Sequence, residues 1–312
     1  MILLGKSSVV VGTRGSLLAV SQTQWTVNEL KKAYDDLDFS TREIVTRGDR
    51  ILDVALNKIG GKGLFTKEIE TALLEGEIDL AVHSLKDLPT ELPEGLDIGA
   101  ITRRVDARDA LISVNGSGLS DLAEGARIGT SSLRRGAQLL HHRRDFVIEP
   151  IRGNLDTRLK KLEREELDAV VVAAAGLIRL GWEDRITEYL PPEVCVPAVG
   201  QGALAIELRA EDPEIKKLVV AINDSDTAAC VAAERTVLGM LGGGCQVPIG
   251  AYATIADGVL HLQAIVAAVD GKVVIRHSLT GKPDCAEELG KAAANALFEQ
   301  GARSILKEIT AQ

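Results

Sequence analysis

The stretch SVVVGTRGS at residues 8–16 decides the architecture of the first half of the chain. Three successive valines favour a strand, Gly12 and Gly15 interrupt it, and Ser16 is a good N-cap for the helical pattern that follows over 16–34. Arg14 therefore stands at a strand-to-helix turn. Further short apolar strands are expected at 41–45, 78–82, 96–101, 146–150 and 168–173. Helices are expected at 66–75 (opening on Thr66), 132–142 and 154–166 (opening on Asn154). Strands alternating with helices dictate parallel-sheet α/β units. Beyond residue 203 the pattern changes to a short strand at 204–208 and an Ala-rich helix near 225–240. Three alternating runs at 249–256, 259–269 and 272–280 and an amphipathic helix near 284–309 complete a small α+β unit. No fixed-period repeat is present, which excludes a solenoid.

The chain has 312 residues, enough for two or three domains, and its 46% hydrophobic and 26% charged residues exclude a disordered chain. Thirty-six basic and 45 acidic side chains leave a net charge of −9, the opposite of what a nucleic acid or an anionic membrane attracts. That charge is unevenly spread: 11 basic against 16 acidic over 1–102, 15 against 15 over 103–202, and 10 against 14 over 203–312. Residues 130–164 reverse it, with nine basic against four acidic, and seven of the nine are Arg, whose planar fork suits carboxylate and phosphate oxygens. For Lys160, Lys161 and Arg164 a solvated helix face is the simpler reading. The four Cys (Cys195, Cys230, Cys245, Cys285) form no C-x-x-C pair and no disulfide framework. The first residues lack the order of a signal or transit peptide, and no apolar run is long enough for a membrane span. A reduced, soluble, cytoplasmic protein is the expectation.

Five loops carry candidate chemistry. In VHSLKDLP (82–89) a strand ends and a proline stops further regular structure, so Lys86 and Asp87 lie where open α/β sheets bind ligands, unless they form only a polar turn. His83 and Asp87 lack a third ligand, which argues against a metal. In GTSSLRR (129–135) Thr130, Ser131 and Ser132 enter a helix whose free N–H groups attract anions, and Arg134 and Arg135 add charge; ordinary capping explains the hydroxyls but not the Arg pair. IRGNLDTR (151–158) places Arg152 and Gly153 at a strand exit, with Arg158 at the far end. Together with GTRGS, three basic strand exits on one sheet system would converge on one cleft. GGKG (60–63) lacks the hydroxyl residue of a P-loop, and GQGALA (200–205) runs into a strand, so neither reads as a nucleotide site. Cys245 follows three glycines, so its loop is exposed and its thiol accessible; a purely structural cysteine is the alternative. Cys230, in an Ala-rich helix, reads as inert.

HSLKDLP (83–89), TSSLRR (130–135), RGNLDTRL (152–159), PAVGQGA (197–203) and GGCQVPIGAY (243–252) closely resemble the porphobilinogen deaminase (hydroxymethylbilane synthase) family of tetrapyrrole biosynthesis. GTRGS (12–16), TRGD (46–49) and GGKGLF (60–65) fit it as well. The resemblance implies two periplasmic-binding-protein-like doubly wound α/β domains plus a small C-terminal α+β domain. The implied bounds are 1–102 with 203–220, then 103–202, then 221–312. It implies a transferase that joins four porphobilinogen molecules head to tail, with loss of ammonia, on a dipyrromethane primer, and then hydrolyses the product off as hydroxymethylbilane. The primer would be thioether-linked to Cys245. Asp87 would be the catalytic carboxylate, buried between Arg residues and steadying cationic pyrroles, with Lys86, Arg14 and Arg152 assisting. Cofactor contacts would come from Ser16, Lys86, Asp87, Thr130, Ser131, Ser132, Arg134, Arg135, Arg152 and Gly153, and substrate contacts from Arg14, Ser16, Arg158, Arg179 and Gln201. Gly242 departs from the acidic residue common at that position in the family. No metal is implied, and a monomer is. A non-catalytic anion-binding protein of the same fold accounts for two Arg-lined lobes but not for Cys245 in its Gly loop.

Overall fold

A computed structural model describes residues 7–50, 63–164, 166–243 and 247–310. In chain order these form β1 (Ser8–Thr13), α1 (Leu17–Ala33), β2 (Asp38–Glu43), α2 (Arg47–Arg50), α3 (Lys67–Leu74), β3 (Leu80–Ser84) and β4 (Leu96–Ile101). There follow β5 (Asp109–Ser113), β6 (Arg127–Gly129), α4 (Leu133–His142), β7 (Val147–Glu149), α5 (Leu155–Arg164), β8 (Ala169–Ala173), α6 (Ala174–Arg179) and β9 (Glu188–Leu190). The last third holds β10 (Leu204–Arg209), α7 (Pro213–Val219), α8 (Ser225–Met240), β11 (Ile249–Ala256), β12 (Val259–Ala267), β13 (Val274–Gly281), α9 (Ala286–Glu299) and α10 (Ala302–Thr310).

Two compact units result: the described residues up to 105, with 203–228, make unit 1, and the described residues of 106–202 and 229–310 make unit 2. Unit 1 holds a five-stranded sheet of order β2-β1-β3-β10-β4. Its first three strands are parallel, while β10 runs antiparallel to both β3 and β4. Strand alternation sends Val9 and Val11 into a core with Val27 and Leu30 of α1 and Ile215 and Leu218 of α7, and Val10 toward Ile69 and Leu73 of α3. Both faces of the sheet are covered, as near-continuous apolar strands require.

Unit 2 repeats the plan without repeating the sequence. Its sheet runs β7-β6-β8-β5-β9, with β6 parallel to β7 and β8 and with β5 antiparallel to both β8 and β9. Ala169 and Val171 face one core with Ile128, Leu139 and Phe146; Val170 and Val172 face the other with Leu159, Leu162 and Leu177. In each sheet the antiparallel fourth strand is the one next to the point where the chain passes between units, β5 after Val105 and β10 after Gly202. Unit 2 also contains the antiparallel β11-β12-β13 meander, whose core comes from α8, α9 and α10. Ala137 of α4 packs on Ile265 and Ala267 of β12, joining the meander to the larger sheet.

The elements expected from sequence are present, with shifts. The strand expected at 41–45 lies at Asp38–Glu43, paired along the whole of β1. The single C-terminal helix is two, because Gly301 takes φ +104° and ends the first. β5, β6 and β9 were not anticipated; two of them are three residues long, too short for a periodicity to show.

Candidate active site

In unit 1, β1 and β3 are parallel neighbours (Val11 opposite Leu80), so the turns that leave them emerge at the same edge. A pocket there is lined by Arg14, Ser16, Gln22, Phe65, His83, Ser84 and Asp87. Ser16 is extended (φ −69°, ψ 144°) and its Oγ accepts the Ala19 N–H at 3.3 Å, so it caps α1 as its residue type demands. Arg14 donates through Nε to Asp49 Oδ2 at 3.2 Å and through Nη2 to Oδ1, and its guanidinium lies 4.4 Å over the Phe65 ring. Asp49 also accepts from Thr46 Oγ1 at 2.7 Å. Burial pushes the Asp49 carboxyl up, but the Arg14 and Thr46 hydrogen bonds outweigh it and hold the group below its ordinary range. Arg14 is thus held in position before any ligand arrives.

Asp87 ends a one-turn 3₁₀ segment, Leu85–Asp87, that follows β3 directly. The expectation of a buried carboxylate between Arg residues does not hold: Leu85 turns into the core and Asp87 is exposed on the pocket wall, with Lys86 half-buried beside it. A single helical turn at a strand end presents only one of its residues inward, and the apolar one takes that place. Ser84 and Gln22 exchange side-chain hydrogen bonds at 2.9 and 3.2 Å and tie this turn to α1.

In unit 2, β6 and β7 are parallel neighbours (Gly129 opposite Glu149), which brings the 130–132 and 151–154 loops to one edge. Ser131 Oγ joins them, donating to the Ile151 carbonyl at 2.5 Å. Thr130 Oγ1 accepts from the Ser132 N–H, and Ser132 caps α4 by accepting from the Arg135 N–H. Gly153 has φ +107°, and a Cβ there would stand 2.6 Å from Thr157 Cγ2, so only glycine fits.

Arg134 and Arg135 do not reach outward. Both are buried and converge on the fully buried Asp109, Arg134 Nη1 on Oδ2 at 2.7 Å and Arg135 Nε on Oδ1 at 2.9 Å. Arg134 also donates to the Val196 carbonyl at 2.6 Å. Gln201 is drawn into the same cluster, donating to Asp109 Oδ1 and the Ala107 carbonyl and accepting from Arg135. Burial opposes the Asp109 charge, yet the two guanidinium groups more than compensate and hold its carboxyl far below the usual range. The Cys195 thiol, donating to Asp109 at 3.2 Å, is pushed up to about 12, first by burial and then by that charge.

Arg152 differs. Its Nε and Nη2 are buried and have no hydrogen-bond partner among the described residues, and burial pulls its pKa down. Arg158 donates to the Gly153 carbonyl at 2.9 Å and Arg179 to the Gly202 carbonyl at 2.8 Å, burial bringing Arg179 down to about 10. The expected single cleft of three basic strand exits is corrected in one respect: GTRGS leaves the sheet of unit 1, whereas the other two loops leave the sheet of unit 2.

Cys245 and most of the 58–66 loop lie outside the described residues. On the N-terminal side of Cys245, α8 ends at Met240 and Gly242 turns with φ +65°. Of the other cysteines, Cys195 and Cys230 are buried and Cys285 is exposed. Sequence reasoning gave no role to Asp49, Phe65 or Asp109. The first two stood in matching segments, TRGD and GGKGLF, but Asp109 carried no local signal at all.

Comparison with known proteins agrees along the whole chain. The family profile "porphobilinogen deaminase, dipyromethane cofactor binding domain" matches residues 9–217, and "porphobilinogen deaminase, C-terminal domain" matches 228–299. A curated porphobilinogen deaminase of Geobacillus kaustophilus is 55% identical over 303 residues, covering 97% of each chain. One from Desulforamulus reducens is 53% identical over 306 residues, covering 98% of this chain and 99% of that one. Among solved structures, substrate-binding domain 2 of Lactococcus lactis GlnP in its open conformation aligns with TM-score 0.43 and 11% identity, covering 70% of this chain and 88% of that one. With both family profiles matched in order and half of all residues shared with relatives of the same length, the chain belongs to the porphobilinogen deaminase family.

Proposed function

We propose that the pocket of unit 1 is where porphobilinogen reacts, with Asp87 as the catalytic carboxylate, and that the 130–132 and 151–158 loops of unit 2 hold acidic side chains of the dipyrromethane cofactor. The family is that of the enzymes that polymerise porphobilinogen on this cofactor in tetrapyrrole biosynthesis. The single observation that carries the reading is the meeting of Arg14, Ser16 and Asp87 in one pocket at the carboxyl ends of adjacent parallel strands, the place where open α/β sheets bind ligands.

The residues present fit a carboxylate-bearing cofactor. The buried nitrogens of Arg152, unpartnered among the described residues, are donors of the kind a carboxylate satisfies. Arg134 and Arg135 bring two positive charges against the one negative charge of Asp109, so the cluster behind the 130–132 loop keeps a net positive charge at the start of α4. Ser131, Ser132 and Gly153 set the backbone of these loops, Arg158 adds charge beside them, and Arg179 adds a further charge in unit 2. When bound through Cys245, the cofactor supplies an electron-rich pyrrole carbon to which substrate is joined.

In the unit 1 pocket, Arg14 is already held by Asp49 and Phe65 and needs no reorganisation to receive a carboxylate of the substrate; Ser16 and Lys86 assist. As the substrate's C–N bond breaks and ammonia leaves with the bonding pair, positive charge spreads over the pyrrole. The Asp87 carboxylate accepts the pyrrole N–H and balances that charge. One such oriented partner is worth about 10²–10³ in rate. We further read three domains, the meander with α8–α10 being the third, in a monomeric cytoplasmic enzyme. No helix among the described residues is long and apolar enough to cross a membrane.

Two measurements test this. The intact mass of purified protein exceeds the sequence mass by a dipyrromethane, the excess disappears in Cys245→Ser, and acidified dimethylaminobenzaldehyde colours only the former. Asp87→Ala keeps the fold and the added mass but loses at least about a hundredfold in turnover; turnover near the normal rate removes the assignment.

A further inference from the structure

A second cluster of ionisable groups lies in unit 1, and the chemistry above leaves it unused. His83 lines the pocket with Asp87, yet it is only 5% exposed, and its Nε2 is 2.9 Å from Oε2 of the fully buried Glu207. The pairing follows from the sheet: His83 of β3 faces Ala205 of β10, and Glu207 lies two residues along on the same face. Glu70 of α3, also buried, stands behind them, close enough that the Glu207 and His83 charges both act on it. Glu207 Oε1 and Glu70 Oε1 are buried without hydrogen-bond partners among the described residues. Two buried carboxylates with open acceptor oxygens around one imidazole make an unstable arrangement unless protons are shared among them. Burial, with the Glu207 charge adding to it, also pushes the Glu70 carboxyl up.

Each addition needs somewhere to put a proton. Substrate enters as an ammonium, its C–N bond breaks, and ammonia leaves with the bonding pair. The new C–C bond would form at a free pyrrole α-carbon, and the hydrogen on that carbon would then leave as H⁺. One proton per addition is released in the pocket, with no net oxidation or reduction. An exposed carboxylate such as Asp87 can accept that proton but must give it up to be ionised for the next addition.

We propose that His83, held by Glu207 and backed by Glu70, is the pocket's proton store, taking the proton from Asp87 after each addition and releasing it to solvent or to departing ammonia. His83 acts through Asp87 and is a positioning residue in this sense, not the group that touches the reacting carbon. The inference rests on the assignment of the unit 1 pocket to the reaction. The charged and ionisable groups around the imidazole are Glu207 on β10, Glu70 and Glu68 on α3, Arg14 after β1, and Asp87 after β3.

The test uses cofactor-loaded enzyme with porphobilinogen as substrate and imidazole ¹⁵N resonances as a second readout. The wild type is expected to lose turnover on the acid side, where the store is already filled, with the imidazole ¹⁵N resonances changing over the same range. His83→Gln keeps a donor to Glu207 but cannot ionise. It is expected to retain the dipyrromethane mass, to lose turnover on the order of a hundredfold, and to lose the acid limb of the profile. Should His83→Gln fail to fold, Glu70→Gln serves, since Glu70 does not line the pocket. Removing a negative charge behind the imidazole makes its protonated form less favourable, so the acid limb and the His83 titration both move to lower pH. Loaded His83→Gln with a wild-type pH profile overturns the proposal, as does Glu70→Gln with neither feature moved. Asp87→Ala at full turnover sinks the underlying pocket assignment instead, and leaves the His83 titration visible.

Discussion

The two five-stranded sheets share one strand order and one pattern of directions, yet they treat their arginines in opposite ways. In unit 1, Arg14 pairs with Asp49 at the surface, its side chain 19% exposed and Asp49's 22%. In unit 2, Arg134 and Arg135 pair with an Asp109 that is wholly out of water. Both arrangements prepare a guanidinium, but for different ends. A partly exposed pair keeps an edge of the Arg available to a ligand at little cost in stability, because solvent reaches both partners and screens them. A buried triad gives up that edge and makes the Arg part of the structure, because removing either sign leaves the other uncompensated in a low dielectric.

Breaking the comparison at its strongest point means removing Asp109. Asp109→Ala leaves two buried guanidinium groups unpaired and is expected to cost unit 2 about 3–5 kcal/mol, measured by denaturant unfolding. Asp49→Ala, by contrast, is expected to cost no more than about 1 kcal/mol. Equal losses would mean that exposure does not separate the two pairs. Next comes Gly153→Ala, where φ +107° and Thr157 both oppose a Cβ; about 1–3 kcal/mol is expected, with the 151–154 loop losing amide protection first.

Acid sharpens the contrast further. A carboxyl depressed by its partner stabilises the fold above its unfolded pKa, and the contribution is lost as pH falls through the folded value. Asp49 and Asp109 both lie below the ordinary 3.8, Asp109 much further. Asp49→Asn should therefore flatten the stability profile just below that value, while the part due to Asp109 survives to lower pH. The smallest effect expected is at Arg152. With buried nitrogens unpartnered among the described residues, Arg152→Met should leave cofactor-free protein unchanged or stabilise it by a fraction of about 1 kcal/mol, while lowering the fraction of protein that acquires the cofactor. Stability measured with and without the cofactor separates the two, and a loss of stability without cofactor would show that Arg152 has a structural partner.

How much of this could be read in advance varies with the range of the interaction. Ser16 as a cap, Gly153 as a turn and Asp87 at a strand exit depend on neighbours within a few residues, and the sequence carries them plainly. The exposure of Asp87 was not legible, since it depends on which residue of one turn the core accepts. Nor was the Asp109 cluster. Asp109 is 25 residues from Arg134 and 92 from Gln201, and it opens a short strand, β5, with no periodicity of its own. Motif spacing also suggested one sheet behind all three basic loops, because it cannot tell two sheets built alike from one.

By itself, the amino-acid sequence determined the alternation of strand and helix, the change of pattern after residue 203, the family, and the residue types gathered at each strand exit. These follow from local propensity, from side-chain period and from motifs whose members are close along the chain. Only the tertiary structure decided which arginines reach outward and which are buried against an acid, and which histidine meets which glutamate. Such choices depend on the cost of taking a charge from water, a cost that is settled only when residues far apart in the chain are folded against one another.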